Sequence, residues 1–132
     1  MTLENMILTA ALSTLGLTAA DVARITAQVP FPFEAKGVAM PAGTYEIARS
    51  DRGGSLTVRN RTTGKAVYSV VRPAGRTRAE GSWMAFQKYG DRYFLTEVKS
   101  AGDSTAVALP GSKLNNEMAL TATPETVVVR AD

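Results

Sequence analysis

Apolar positions along the chain change period near residue 25. Before it, Leu3, Met6, Ile7, Ala10, Ala11 and Leu15 recur at helical spacing, Gly16 can end a helix, and Thr18 with Asp21 resembles a cap. After it, short runs of β-branched and aromatic residues alternate with glycine and proline, the pattern of an antiparallel β-sandwich or a partly open barrel. The pattern predicts a mainly β chain of two parts: a signal-like apolar segment or N-terminal helix over residues 1–24, and a single β domain over 25–132.

Within the β domain, Ile25 to Glu34 carries Pro30 and Pro32, which cannot donate to a ladder, so this run is expected at an edge or only partly paired. Met40 to Gly43 turns the chain into Thr44 to Arg49, where Tyr45 and Ile47 share a face. Ser55 to Arg61 alternates, with Leu56 and Val58 inward and Arg59 and Arg61 outward. Through Thr62 to Gly64 it is expected to form a hairpin with Ala66 to Arg72, basic on its outer face. Arg72 to Gly81 has no periodicity and reads as a mobile loop.

Trp83 to Tyr89 and Arg92 to Lys99 predict the best-specified hairpin, because Gly90 followed by Asp91 suits a two-residue type II′ turn. The register then sets Phe86 against Leu95, Lys88 against Tyr93, Trp83 against Val98 and Glu97 against Met84. After a turn at Ser100 to Asp103 and a strand from Thr105 to Leu109, Ser112 is expected to cap one short helix over 112–119 that buries Leu114 and Met118. Val127 to Val129 mark a last strand, Glu125 to Ala131, expected to be covered on both faces.

Three stretches, VPFPFEAKGVAMPAGTYEI (29–47), FQKYGDRYFLTEV (86–98) and LPGSKLNNEMA (109–119), resemble a set of small exported β-rich proteins of unknown function, common in acidobacteria. The resemblance covers most of residues 25–120 and implies export and a compact β domain. It brings no activity, cofactor or site residue with it. The acidic start, with Glu4 and no Lys or Arg before Met6, and the extra C-terminal strand depart from that family's pattern.

Composition narrows the chemistry. No cysteine is available for disulfides, thiolate metal sites or nucleophilic attack, and no histidine for general base work or zinc. Met6 to Ala20 is apolar, ends in Thr18-Ala19-Ala20, and is short for a membrane span, which favours an export leader and a secreted or periplasmic, envelope-associated protein. A helix-turn-helix reading of LTAADVARI lacks a following recognition helix.

The net charge of +3 is unevenly spread: from residue 49 to 79, Arg49, Arg52, Arg59, Arg61, Lys65, Arg72, Arg76 and Arg78 face the single acid Asp51. Those eight form the candidate polyanion-binding set, suited to an anionic envelope or extracellular polymer. Nucleic acid is disfavoured because only Tyr68 is interleaved with the charges. Trp83, Phe86, Tyr89 and Tyr93 form a candidate aromatic ligand groove. Glu80, Asp91, Glu97 and Asp103 are the acids of that region, and their spacing favours structural use over a carboxylate pair.

No catalytic, cofactor or metal site is assigned. The expected function is a non-enzymatic exported structural or interaction module that self-assembles into an oligomer or filament. The alternative is a binding domain for a polyanion, carbohydrate or small apolar ligand.

Overall fold

The structure, a computed structural model, describes residues 24–50, 54–76, 80–103 and 105–132. The apolar segment expected as leader or helix lies outside the described residues, as do Arg52 and Arg78. Among the described residues the strands are β1 (Arg24–Val29), β2 (Phe33–Ala35), β3 (Val38–Met40), β4 (Gly43–Arg49), β5 (Ser55–Asn60), β6 (Ala66–Val70), β7 (Arg72–Arg76), β8 (Ser82–Tyr89), β9 (Arg92–Lys99), β10 (Thr105–Ala108) and β11 (Glu125–Ala131), with one helix, α1 (Lys113–Thr121), before the last.

All eleven strands belong to one sheet, ordered β3-β2-β9-β8-β11-β1-β4-β5-β6, with β10 beside β9 and β7 beside β10. The sheet curls into a nearly closed barrel. Across the seam between its end strands, Lys65 Nζ donates to the Ala39 carbonyl at 2.6 Å and Lys36 Nζ to the Tyr68 carbonyl at 3.5 Å. Alternate residues fill the interior: Ile25, Val29, Phe33, Met40, Tyr45, Ile47, Leu56, Val58, Met84, Phe86, Leu95 and Val98 make one buried cluster. Phe33 packs edge-on to Tyr45 and Phe86 at 5.0 and 5.2 Å between ring centres, and Phe31 stacks on Tyr93 at 3.7 Å.

Several expectations need correction. Of the two expectations for the first run, edge placement is overturned, because β1 lies between β4 and β11. Partial pairing holds: β1 pairs with β4 along its length, with β11 only at Ala27, and Pro30 to Pro32 lie outside the ladder. Its prolines fall after Val29, where they end one strand and turn the chain into the next, so no ladder bond is lost. The β2–β3 hairpin was hidden inside a run read as one strand and a turn. Lys36 and Gly37 both have positive φ, 51° and 79°, as a two-residue type I′ turn requires.

Part of the expected mobile loop is strand. Arg72, Pro73 and Arg76 pair with Ala108, Val107 and Thr105. Pro73 is tolerated because β7 has one neighbour only, and the missing N–H can face away from it. The run Ala66 to Arg72 is consequently divided at Val71.

The β8–β9 hairpin has its type II′ turn, with Gly90 at φ 63° and Asp91 at negative φ, and pairs Phe86 with Leu95 and Lys88 with Tyr93 as expected. Beyond Phe86 the register slips by one, so Met84 faces Val98, Trp83 faces Lys99 and Ala85 faces Glu97. Thr96 is the extra residue of this bulge. Its hydroxyl donates to the Ala85 carbonyl at 3.2 Å, while its own carbonyl accepts from Leu109 N at 2.9 Å.

Ser112 caps α1, accepting from Asn115 N at 3.1 Å. Leu114 and Met118 are only half-buried, however, and the buried residue of the helix is Asn115. β11 is likewise covered on one face, with Val127 and Val129 against the core and Val128 outward at 52 % exposure.

Candidate functional site

The basic stretch divides among three places. At one barrel end, Arg49 terminates β4 with core-facing parity, and its Nη1 meets Asp103 Oδ2 at 2.6 Å while its Nε is buried without a partner. This pair ties β4 to the turn between β9 and β10. Arg72 and Arg76 lie on β7. Arg59, Arg61 and Lys65 gather at the turn of the β5–β6 hairpin, all exposed.

That turn is built by Asn60, which is buried. Its Oδ1 accepts from Thr62 N and Thr63 N at 2.8 and 2.9 Å, and Gly64 takes φ 78° to complete the reversal. Beside it, Tyr45 donates its hydroxyl to the Pro41 carbonyl. Burial pushes the Tyr45 hydroxyl above its ordinary value, and a hydrogen bond with Asn60 pulls it partly back.

The outer face of this hairpin is basic only on β5. Ala66, Tyr68 and Val70 project from β6, and Tyr68 is 61 % exposed and Val70 55 %. Among the described residues, the strand is also paired on one side only. Asn60 N donates to Lys65 O and Val71 N to Gly54 O, so these hydrogen-bonded pairs set the alternation between β5 and β6. Val67 and Ser69 then point their backbone groups at β5, whereas Ala66, Tyr68 and Val70 point theirs at the seam. Neither those residues nor the apolar outer face of β6 was singled out from sequence. The signal is the alternation AVYSV, which gives Tyr68 and Val70 the same outward parity as Ala66.

The four aromatic candidates fall on two faces of the sheet. Phe86 is inside, and half-buried Tyr93 packs against the same core. Trp83 belongs to a small separate cluster with Ala85 and Ala106, and Tyr89 packs edge-on to Phe94, with ring centres 5.9 Å apart. Trp83 nevertheless lines a groove of about 490 Å³ outside the barrel, with Gln87, Thr96, Glu97, Thr126, Val128 and Arg130. Its indole N–H is buried without a partner.

Arg130 is steadied from one side, donating to the Glu80 carbonyl at 3.0 Å. Glu97 is half-buried and is the one carboxylate on the groove wall. Among the described residues, no three acidic side chains gather where a metal ion could sit. No described helix is long and apolar enough to cross a membrane. No protein-family model, curated protein or solved structure matches the chain.

Proposed function

We propose that this chain is a non-enzymatic, exported interaction module, associated with the cell envelope, that engages a polypeptide partner or further copies of itself through the outside of its barrel. The observation that carries this reading is the side of β6 that no described strand pairs, where backbone N–H groups and carbonyls held only by side chains flank exposed Tyr68 and Val70. Unpaired strand edges are templates for pairing with another chain. Side chains of the protein itself occupy the barrel interior, which leaves the exterior for recognition. Export is supported by the leader-like Met6 to Ala20 and by the resemblance to small exported acidobacterial proteins.

Sedimentation velocity over a wide concentration range, on protein purified from its native host, tests this reading. Concentration-dependent growth or a co-purifying polypeptide is expected. A bare monomer at every concentration, with no companion, contradicts it. The intact mass of the same sample tests export, with loss of the first ~20 residues expected.

A second reading is favoured by the groove beside Trp83, where the Gln87 amide, threonine hydroxyls and Glu97 carboxylate suit a polyhydroxylated ligand such as a saccharide. Calorimetry against neutral and acidic oligosaccharides separates the two. Binding abolished by Glu97→Gln favours the groove, and absence of heat with every sugar removes it.

A further inference from the structure

We infer that the seam between β3 and β6 is a docking slot for an extended, acidic segment of a partner polypeptide, which adds to β6 as a strand. The inference rests on the interaction-module reading and names its site and partner chemistry. Among the described residues, neither edge facing the seam has a ladder partner on that side. On β6, Ala66, Tyr68 and Val70 turn N–H and C=O toward it, the Val70 carbonyl also accepting from Ser69 Oγ at 2.8 Å. On β3, the two-residue turn makes Ala35–Val38 and Phe33–Met40 the hydrogen-bonded pairs, so Ala39 faces the seam.

The edges do not pair with each other in the sheet. A direct ladder would hold them about 4.8 Å apart with backbone N–H groups on the carbonyls. Instead, the Ala39 and Tyr68 carbonyls accept from the ammonium groups of Lys65 and Lys36. Those lysines reach across the gap from opposite sides and occupy acceptors that an incoming strand's N–H groups would take.

Charge decides which strand enters. Lys36 and Lys65 are exposed in the slot, and Arg59 stands opposite the small Ala66 on the adjoining face. The described acid nearest β3 in the ladder, Glu34, is engaged with Arg92 at 2.8 Å. A partner bringing carboxylates would pair with ammonium groups displaced from the carbonyls, while its backbone satisfied the edge. A second copy of β6 would bring no acid, only the uncharged run AVYSV with Lys65 just before it. Strand addition supplies affinity through the main chain and specificity through alternate side chains.

The test uses a fluorescent peptide about seven residues long, alternating glutamate and valine, with a matched lysine–valine peptide, read by anisotropy. The glutamate peptide is expected to bind and the lysine peptide not. Tyr68→Pro removes a seam-facing N–H without touching the β5 ladder, and is expected to weaken binding about tenfold or more, roughly the worth of a hydrogen bond or two. If that variant melts early, Lys36→Glu with Lys65→Glu carries the test, since it should reverse the preference toward the lysine peptide.

Equal binding of both peptides, or binding indifferent to both variants, overturns the slot. So does self-association that the peptide competes away, which would make a second copy the occupant. If the protein assembles in sedimentation yet ignores the glutamate peptide, the slot fails and the module reading stands. If it neither assembles, nor co-purifies with a polypeptide, nor binds the peptide, both fail.

Discussion

β8 and β6 are both strands of one sheet, yet they stand in different physical situations. β8 is hydrogen-bonded to β9 and β11 on its two sides, and its residues from Ser82 to Phe86 are buried on both faces. β6 is bonded to β5 alone and alternates between exposed and buried. The first strand has its backbone and most of its side chains committed to the fold. The second leaves its seam-facing N–H groups out of any described ladder and its two largest outward side chains exposed, while side chains occupy the Tyr68 and Val70 carbonyls. The proposed recognition would therefore use a different strand from those that carry the core.

The contrast is broken most severely at Phe86. Phe86→Ala empties the centre of the aromatic cluster and should cost about 3–5 kcal/mol, measured as a fall in the denaturant midpoint at unchanged slope. A cost near that of a surface substitution would mean the barrel interior is not the packed core described. Asn60→Ala comes next. It strips the turn of the acceptor for Thr62 N and Thr63 N and should cost about 2 kcal/mol by the same measurement.

Tyr45 gives a prediction in pH. Its hydroxyl is held above its ordinary value, so the folded chain keeps the proton that the unfolded chain releases at about pH 10. This contribution is fully present below that pH and is lost as pH rises toward the folded value. Stability followed from pH 9 to 11 should therefore fall, and Tyr45→Phe should flatten the fall. An unchanged slope would show that Tyr45 ionises freely.

The smallest effect is expected on β6 itself. Tyr68→Ser should change stability by about 0.5 kcal/mol or less, since the ring is mostly exposed. A loss of several kcal/mol would place Tyr68 inside the packing instead of outside it and remove the contrast with β8.

Much of this architecture is legible in the chain because alternation and turn chemistry are local. Gly90-Asp91 determines its hairpin, Ser112 its helix start, and Tyr45 with Ile47 the inner face of β4. What escapes is what depends on distant neighbours. The bulge at Thr96 is recognisable only once its hydroxyl meets the Ala85 carbonyl and Leu109 approaches from another strand. β7 owes its strand form to β10, about thirty residues on, and no period in RPAGR announces it.

The candidate sites show the same division. Eight basic residues close in sequence suggested one face, but Arg49 turns inward to Asp103 while Arg59, Arg61 and Lys65 stay on the hairpin. Trp83, Phe86, Tyr89 and Tyr93 include both parities of the β8–β9 ladder, so strand alternation alone separates them onto two faces. The free side of β6 follows from which strand ends the sheet order. That depends on every other pairing in the barrel.

Amide hydrogen exchange along β6 tests the central claim most directly, because it reads each backbone N–H separately. Fast exchange is predicted at Ala66, Tyr68 and Val70 and slow exchange at Val67 and Ser69, with Tyr68 and Val70 becoming protected when the glutamate–valine peptide is added. Uniformly slow exchange along β6 in the free monomer would contradict the account, since the seam edge would then already be closed.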